Sequence, residues 1–190
     1  MIETTPPPLV GEPLALDLVN TLATRPDGVA VDLFAEPATA SAWLSAQHDL
    51  DRLTAIRPAD LDLPQLRKLR EHVAGCVDAA RQATAPPPAA LAALNDAVRA
   101  APAYAQLTVV DGTLVRRVDR SGVPGRDLLA ELAEAAVDLV TDPAVRRVRA
   151  CEGARCRLLF LPAHPQRRWC SPATCGNRAR VARHYQRHHG

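Results

Sequence analysis

Residues 150–178 read ACEGARCRLLFLPAHPQRRWCSPATCGNR, and this stretch decides the fold of the C-terminal part of the chain. It holds four cysteines in two matched pairs. Cys151 and Cys156 enclose four residues, Cys170 and Cys175 enclose four more, and thirteen separate the pairs. Tetrahedral zinc takes four soft ligands at one point, and two short loops carrying two thiolates each deliver them. The spacing predicts one structural Zn2+ held by Cys151, Cys156, Cys170 and Cys175.

Other uses of four cysteines fit less well. Two disulfides would need an oxidising compartment, and clustered cysteines in a reducing one more often bind metal. A catalytic zinc keeps an open position and usually takes His or carboxylate ligands. His164 is a candidate substitute ligand, but Pro162-Ala163-His164-Pro165 reads as an exposed loop. Zinc ejection on oxidation is chemically allowed, yet no residue singles it out.

The local grammar around the cysteines is readable. Val145 to Ala150 reads as a short strand entering the first cysteine loop, and Leu158 to Leu161 as a second strand. Ser171 and Pro172 read as an N-cap and a first helical residue. That puts Cys175 in the opening turns of a helix, where the dipole favours a thiolate. The order resembles a treble clef. At about 100° per residue, Cys175, Arg178, Val181, Ala182 and Tyr185 share the side expected to face the metal. Arg180, Arg183, His184 and Arg187 fall on the opposite side. Arg178, pointing inward, is expected to support the ligands.

Charge separates this region from the rest. Residues 143–190 hold eleven Arg and one acid, Glu152, for a net +10, and the other 142 residues sum to −8. A basic segment on an acidic body predicts a polyanion partner for the segment alone. Arg167, Arg168, Arg180, Arg183 and Arg187 are the candidates to meet phosphates. The boundary is placed at the charge flip, giving domains 1–142 and 143–190, and Thr141-Asp142-Pro143 ends the preceding helix there.

The body reads as mainly helical. Residues 1–13 are proline-rich and expected to be extended. LALDLVNTL at 14–22 is compatible with strand or helix. A helix is predicted from Pro37 to about His48, with Trp43 and Leu44 inward. Asp62 and Pro64 start a longer one, with Leu66, Leu69, Val73, Cys76, Val77 and Ala80 at helical spacing. Cys76 lies on that stripe and is read as a core residue. Further helices are predicted at 89–100 and 126–140, the latter offering a core face or a homodimer surface. Asp111-Gly112 between two β-rich runs signals a hairpin. Asp17, Asn20, Thr21 and Arg25 are polar groups beside an apolar run, where capping bonds or the lining of an effector pocket are both open. The fold class predicted is α+β: a mainly helical N-terminal domain with a β-hairpin, plus a treble-clef-like zinc finger.

These residues resemble the CGNR zinc-finger family. Cys175-Gly176-Asn177-Arg178 spells its name, with RACEGARCRLLFLP and RRWCSPATCGNRARVARHY around it. LALDLVNT and the AWL at 42–44 are similar to the ABATE domain often paired with this finger. Two positions depart from the pattern: Leu18 stands where Phe is common, and Ala163-His164-Pro165-Gln166 replaces a Ser-Arg stretch. The resemblance implies a bacterial, stress-induced transcription regulator whose finger binds DNA and whose body senses a signal.

Three functions follow as expectations. A DNA-binding regulator comes first, and one finger reads few bases, so a homodimer or partner is expected with it. An RNA-binding or protein-interaction zinc module is the alternative; its candidate stacking rings, Phe160, Trp169 and Tyr185, all read as buried. No enzyme is expected, since the histidines at 184, 188 and 189 have no acid beside them. MIETTPPPLVGE has neither a basic n-region nor an apolar h-region, and a cytoplasmic protein without membrane association is expected.

Overall fold

The computed structural model of the chain describes residues 11–24, 28–49, 53–54, 56–120 and 122–189. Most of the proline-rich start lies outside that set. The ambiguous apolar run becomes helix α1, Leu14–Val19, with Ala15, Leu16 and Leu18 fully buried. A two-stranded antiparallel pair follows, β1 (Leu22–Thr24) with β2 (Ala30–Asp32).

Four longer helices build the body: α2 (Pro37–His48), α3 (Leu63–Gln82), α4 (Pro88–Ala100) and α5 (Pro124–Thr141). Each has proline in its first turn, where the missing N–H costs nothing and φ is already helical. Asp62 caps α3 through the Gln65 N–H at 2.9 Å. The stripe read on α3 is inward: Leu66, Leu69, Val73, Cys76 and Val77 are buried, and Ala80 is half-buried. Burial raises the Cys76 thiol pKa, as suits an inert core residue.

Helix α1 packs against α3 and α5, while α4 covers the other side of that pair. Leu16, Leu18, Phe34, Trp43, Leu66, Val73, Val77 and Leu132 fill the core, and Phe34 meets Trp43 edge to face at 5.5 Å. Each such side chain contributes roughly 1.5–3 kcal/mol by leaving water. The apolar face of α5 is spent on this core.

The hairpin forms as read: β3 (Tyr104–Val110) pairs with β4 (Thr113–Asp119) around Asp111 and Gly112, whose φ angles of 47° and 77° suit the tight turn. It stands out from the body, with Leu107, Val109, Leu114 and Val118 at least 60% exposed on one face. Arg120 ties its base to α5 through Glu134 and to the Ala101 carbonyl oxygen. Among the described residues no helix is long and apolar enough to cross a membrane.

The chain passes residue 142 without leaving the core. Pro143–Arg147 is a 3-10 turn where a strand start was expected, because Asp142 caps Ala144 N–H at 2.7 Å. Val145, Val148 and Leu159 then complete the body's core. The last elements are β5 (Arg149–Ala150), β6 (Leu159–Phe160) and α6 (Asn177–His189). Mainly helical body, β-hairpin and C-terminal cysteine module agree with the α+β expectation.

Candidate metal centre and nucleic-acid interface

Strands β5 and β6 pair Arg149 with Phe160 and Ala150 with Leu159, so the first cysteine loop is the turn between them. The Cys156 N–H donates to the Gly153 carbonyl oxygen at 3.0 Å, and the Cys151 N–H donates to that of Leu158 at 2.9 Å. Both bonds curl the loop until its thiols face one way. The second pair is set by a cap. The Ser171 hydroxyl accepts from the Thr174 N–H at 3.3 Å, and a π-helical turn over Pro172–Gly176 carries Cys175 inward before α6 begins.

All four sulfur atoms lie within 4.8 Å of one another. Cys156 Sγ is 3.9 Å from Cys170 Sγ, which is 3.6 Å from Cys175 Sγ. A zinc–sulfur bond of about 2.3 Å in a tetrahedron separates its sulfurs by about 3.8 Å, so the set fits one ion. Disulfide bonds, at about 2.05 Å, do not describe these contacts. N–H groups of Gly153 and Cys170 point at Cys151 Sγ from 3.4 and 3.3 Å, and Arg178 Nη2 donates to Cys175 Sγ at 2.8 Å. Arg178 therefore supports the ligands, as the helical wheel implied.

The thiols share charge unevenly. Cys156 is drawn down to about 5, chiefly by the hydrogen bond from Cys170, while Cys170 is pushed well up by the same contact. Burial raises Cys151. A dication supplies the charge that lets all four ionise. Zinc is thus the ion this donor set suits, and Cys151, Cys156, Cys170 and Cys175 would hold it.

Phe160, fully buried, and Trp169 back the sulfurs. The five basic candidates then divide. Arg167 lies over Phe160 at 4.5 Å and donates to Glu12 Oε1 at 2.7 Å and to the carbonyl oxygens of Cys170 and Trp169. Its Nε and Nη2 donate inside the protein, against its expected place among the phosphate-facing arginines. Arg168 is exposed, stacked on Trp169 and paired with Glu152. Its hydrogen bond to Glu152 holds that carboxyl below its ordinary pKa. Arg180, Arg183 and Arg187 are exposed on one face of α6 and, with His184, line a shallow depression of about 240 Å3.

The opposite face of α6 departs from the reading. Val181 is 51% and Tyr185 64% exposed, not buried against a small core. The helix leaves the sulfur cluster after its first turn and packs mainly on the π-turn that precedes it.

The polar candidates of the body are scaffold. Asp17 accepts from the N–H groups of Gly11 and Glu12, at 2.9 and 3.1 Å, and from Gln47 Nε2. Asn20 bonds both backbone groups of Leu159, and Thr21 Oγ1 donates to the Leu18 carbonyl oxygen while accepting from Arg70 Nη1. All three are buried with protein partners, which is why they do not face a cavity. Arg25 lies outside the described residues.

Sequence reading missed Arg70. It sits one step off the apolar stripe of α3, four residues after Leu66 and three before Val73, and that position was its signal. Its guanidinium forks onto both Asp32 oxygens at 2.5 and 2.7 Å. Burial works against the Asp32 carboxylate, but this fork, the Phe34 N–H and Arg67 outweigh it and hold its pKa below the ordinary value.

Two family models match the chain. The ABATE model, described as "Putative stress-induced transcription regulator", covers residues 12–143, and the CGNR zinc finger covers residues 147–188. No curated protein matches the sequence.

Proposed function

From the premise that the chain belongs to the ABATE family and carries a CGNR zinc finger, we propose that it is a zinc-dependent, DNA-binding transcription regulator. The matched families name a regulator and a zinc finger, and neither names an enzyme.

One observation carries the reading. Arg180, Arg183 and Arg187 stand on one exposed helical face, and among the described residues none of the three meets a carboxylate. Three unneutralised guanidiniums at the spacing of helical turns suit phosphates along a backbone. The metal's part is to hold the start of α6 against the first cysteine loop, so that the arginine face is presented rigidly. The body is the half that receives the signal. It meets the finger through Asn20 on Leu159 and through Glu12 on Leu161 and Arg167.

Selection of bound duplexes from a random pool, with and without a chelator, tests this. Enrichment only in the metal-loaded sample is expected. Enrichment that survives metal removal, or none beyond the bulk pool, counts against it.

Single-stranded RNA is the second reading, favoured by the exposed Tyr185 ring on the face of α6 opposite the arginines. Including an RNA pool in the same selection separates the two.

A further inference from the structure

Where the finger meets the body, a cavity of about 380 Å3 opens beside the Asn20–Leu159 contact. One wall is α3, with Arg70, Glu71, Ala74, Asp78 and Arg81. The other wall comes from Val19 and Leu22 of the body and Arg157 and Leu159 of the finger.

The charges of this lining sort themselves. Arg81 and Asp78 neutralise each other at 3.2 Å. Arg70 is neutralised by Asp32, yet its Nε is buried without an acceptor. That leaves Glu71 on the body wall and Arg157 on the finger wall, and among the described residues neither has a hydrogen-bond or ion-pair partner. The two unmatched charges are of opposite sign and lie on opposite walls. The lining also holds four apolar residues, Val19, Leu22, Ala74 and Leu159.

We propose that this cavity binds a small zwitterion with an apolar body, an apolar α-amino acid being the simplest, as the effector of the regulator. Its carboxylate pairs with Arg157 and faces the wall that holds the acceptor-less Nε of Arg70. Its ammonium pairs with Glu71, and its side chain covers Val19, Leu22 and Leu159. Charge-assisted contacts of this kind orient a small ligand, and the apolar wall adds burial. Neither a plain carboxylate nor a plain amine satisfies both lone charges. Because the ligand would touch finger and body at once, binding adds a contact across the seam and biases the direction in which α6 points. This deepens the sensing half of the function proposed above and rests on it.

Calorimetric titration of the full, zinc-loaded protein tests the assignment, with L-leucine, L-methionine and L-phenylalanine as probes. N-acetyl-L-leucine and L-leucine amide are the single-charge controls. Saturable binding of at least one free amino acid is expected. Acetylation, amidation, Glu71→Gln and Arg157→Gln should each weaken it by about tenfold or more, the loss of one charged hydrogen bond. Lys68→Gln, in a separate groove between α3, α4 and α5, should leave it unchanged. Circular dichroism confirms that the variants fold. No heat from any free amino acid, equal binding of the acetylated probe, or unchanged affinity in both charge variants overturns the proposal. The same preparations are assayed for duplex DNA without amino acid. DNA binding without amino-acid binding removes only the cavity assignment, and the reverse removes only the DNA reading.

Discussion

The Asn20 carboxamide closes a two-bond ring on the backbone of Leu159. Its Nδ2 donates to the Leu159 carbonyl oxygen at 2.8 Å, and its Oδ1 accepts from the Leu159 N–H at 2.8 Å. The pairing copies what a neighbouring strand would do for the free edge of β6, whose other edge is held by β5. Body and finger are thereby joined by a contact 139 positions apart in sequence.

Asn20→Ala is expected to orphan a buried N–H and a buried carbonyl, at about 1–3 kcal/mol for each. Thermal melting should drop accordingly, and limited proteolysis should cut more readily in 143–148. A variant that melts like the parent would show that water replaces the amide without cost.

Arg167 and the α6 arginines should separate cleanly. Arg180→Gln, Arg183→Gln and Arg187→Gln should each reduce the log–log salt slope of DNA binding by about 0.9, with little change in melting temperature. Arg167→Gln should do the opposite: it removes the bonds to Glu12 and Cys170 and lowers stability, while the slope stays put. Anisotropy titrations at several salt concentrations read the difference.

Gly153→Ala probes the sulfur cluster from inside. A Cβ there would lie 3.0 Å from both Cβ and Sγ of Cys175 and 3.4 Å from Cys151 Sγ. The ligands would have to spread, and zinc affinity should fall about 10- to 100-fold, as when other supports of a metal site are lost. Competition against a chromogenic chelator measures it. Unchanged affinity would mean the loop moves aside freely.

The Asp32–Arg70 pair gives an acid limb. The Asp32 pKa is lowered in the folded protein, so its contribution is fully present above the unfolded value of about 3.9 and is lost as pH falls through the lower folded value. Asp32→Asn should cost about 3–5 kcal/mol at neutral pH, because Arg70 stays buried without its counter-charge. It should also flatten the stability curve below about pH 4. Denaturant midpoints across pH test both.

What the sequence made legible was local. Asp62 and Pro64 announce α3, Asp111-Gly112 announces the hairpin, and the cysteine spacing announces the cluster, because in each case the interacting groups are close in sequence. Partners far apart in sequence were hidden. Arg167 carries a readable charge, but its engagement with Glu12 lies 155 positions away. The same holds for Asn20, whose amide was open to capping bonds or a ligand role and whose partner Leu159 lies 139 positions away. Val181 and Tyr185 were misplaced for a different reason: a helical wheel assigns an inner face only if something stands there to cover it, and past the first turn of α6 little does.

Leu159 does two jobs, as a strand partner within the finger and as a plug in the body's core. The finger is therefore not an interchangeable cassette. A transplanted relative would have to bring an apolar residue and a free backbone edge to the same spot, or the host would be left with a hole and an idle carboxamide.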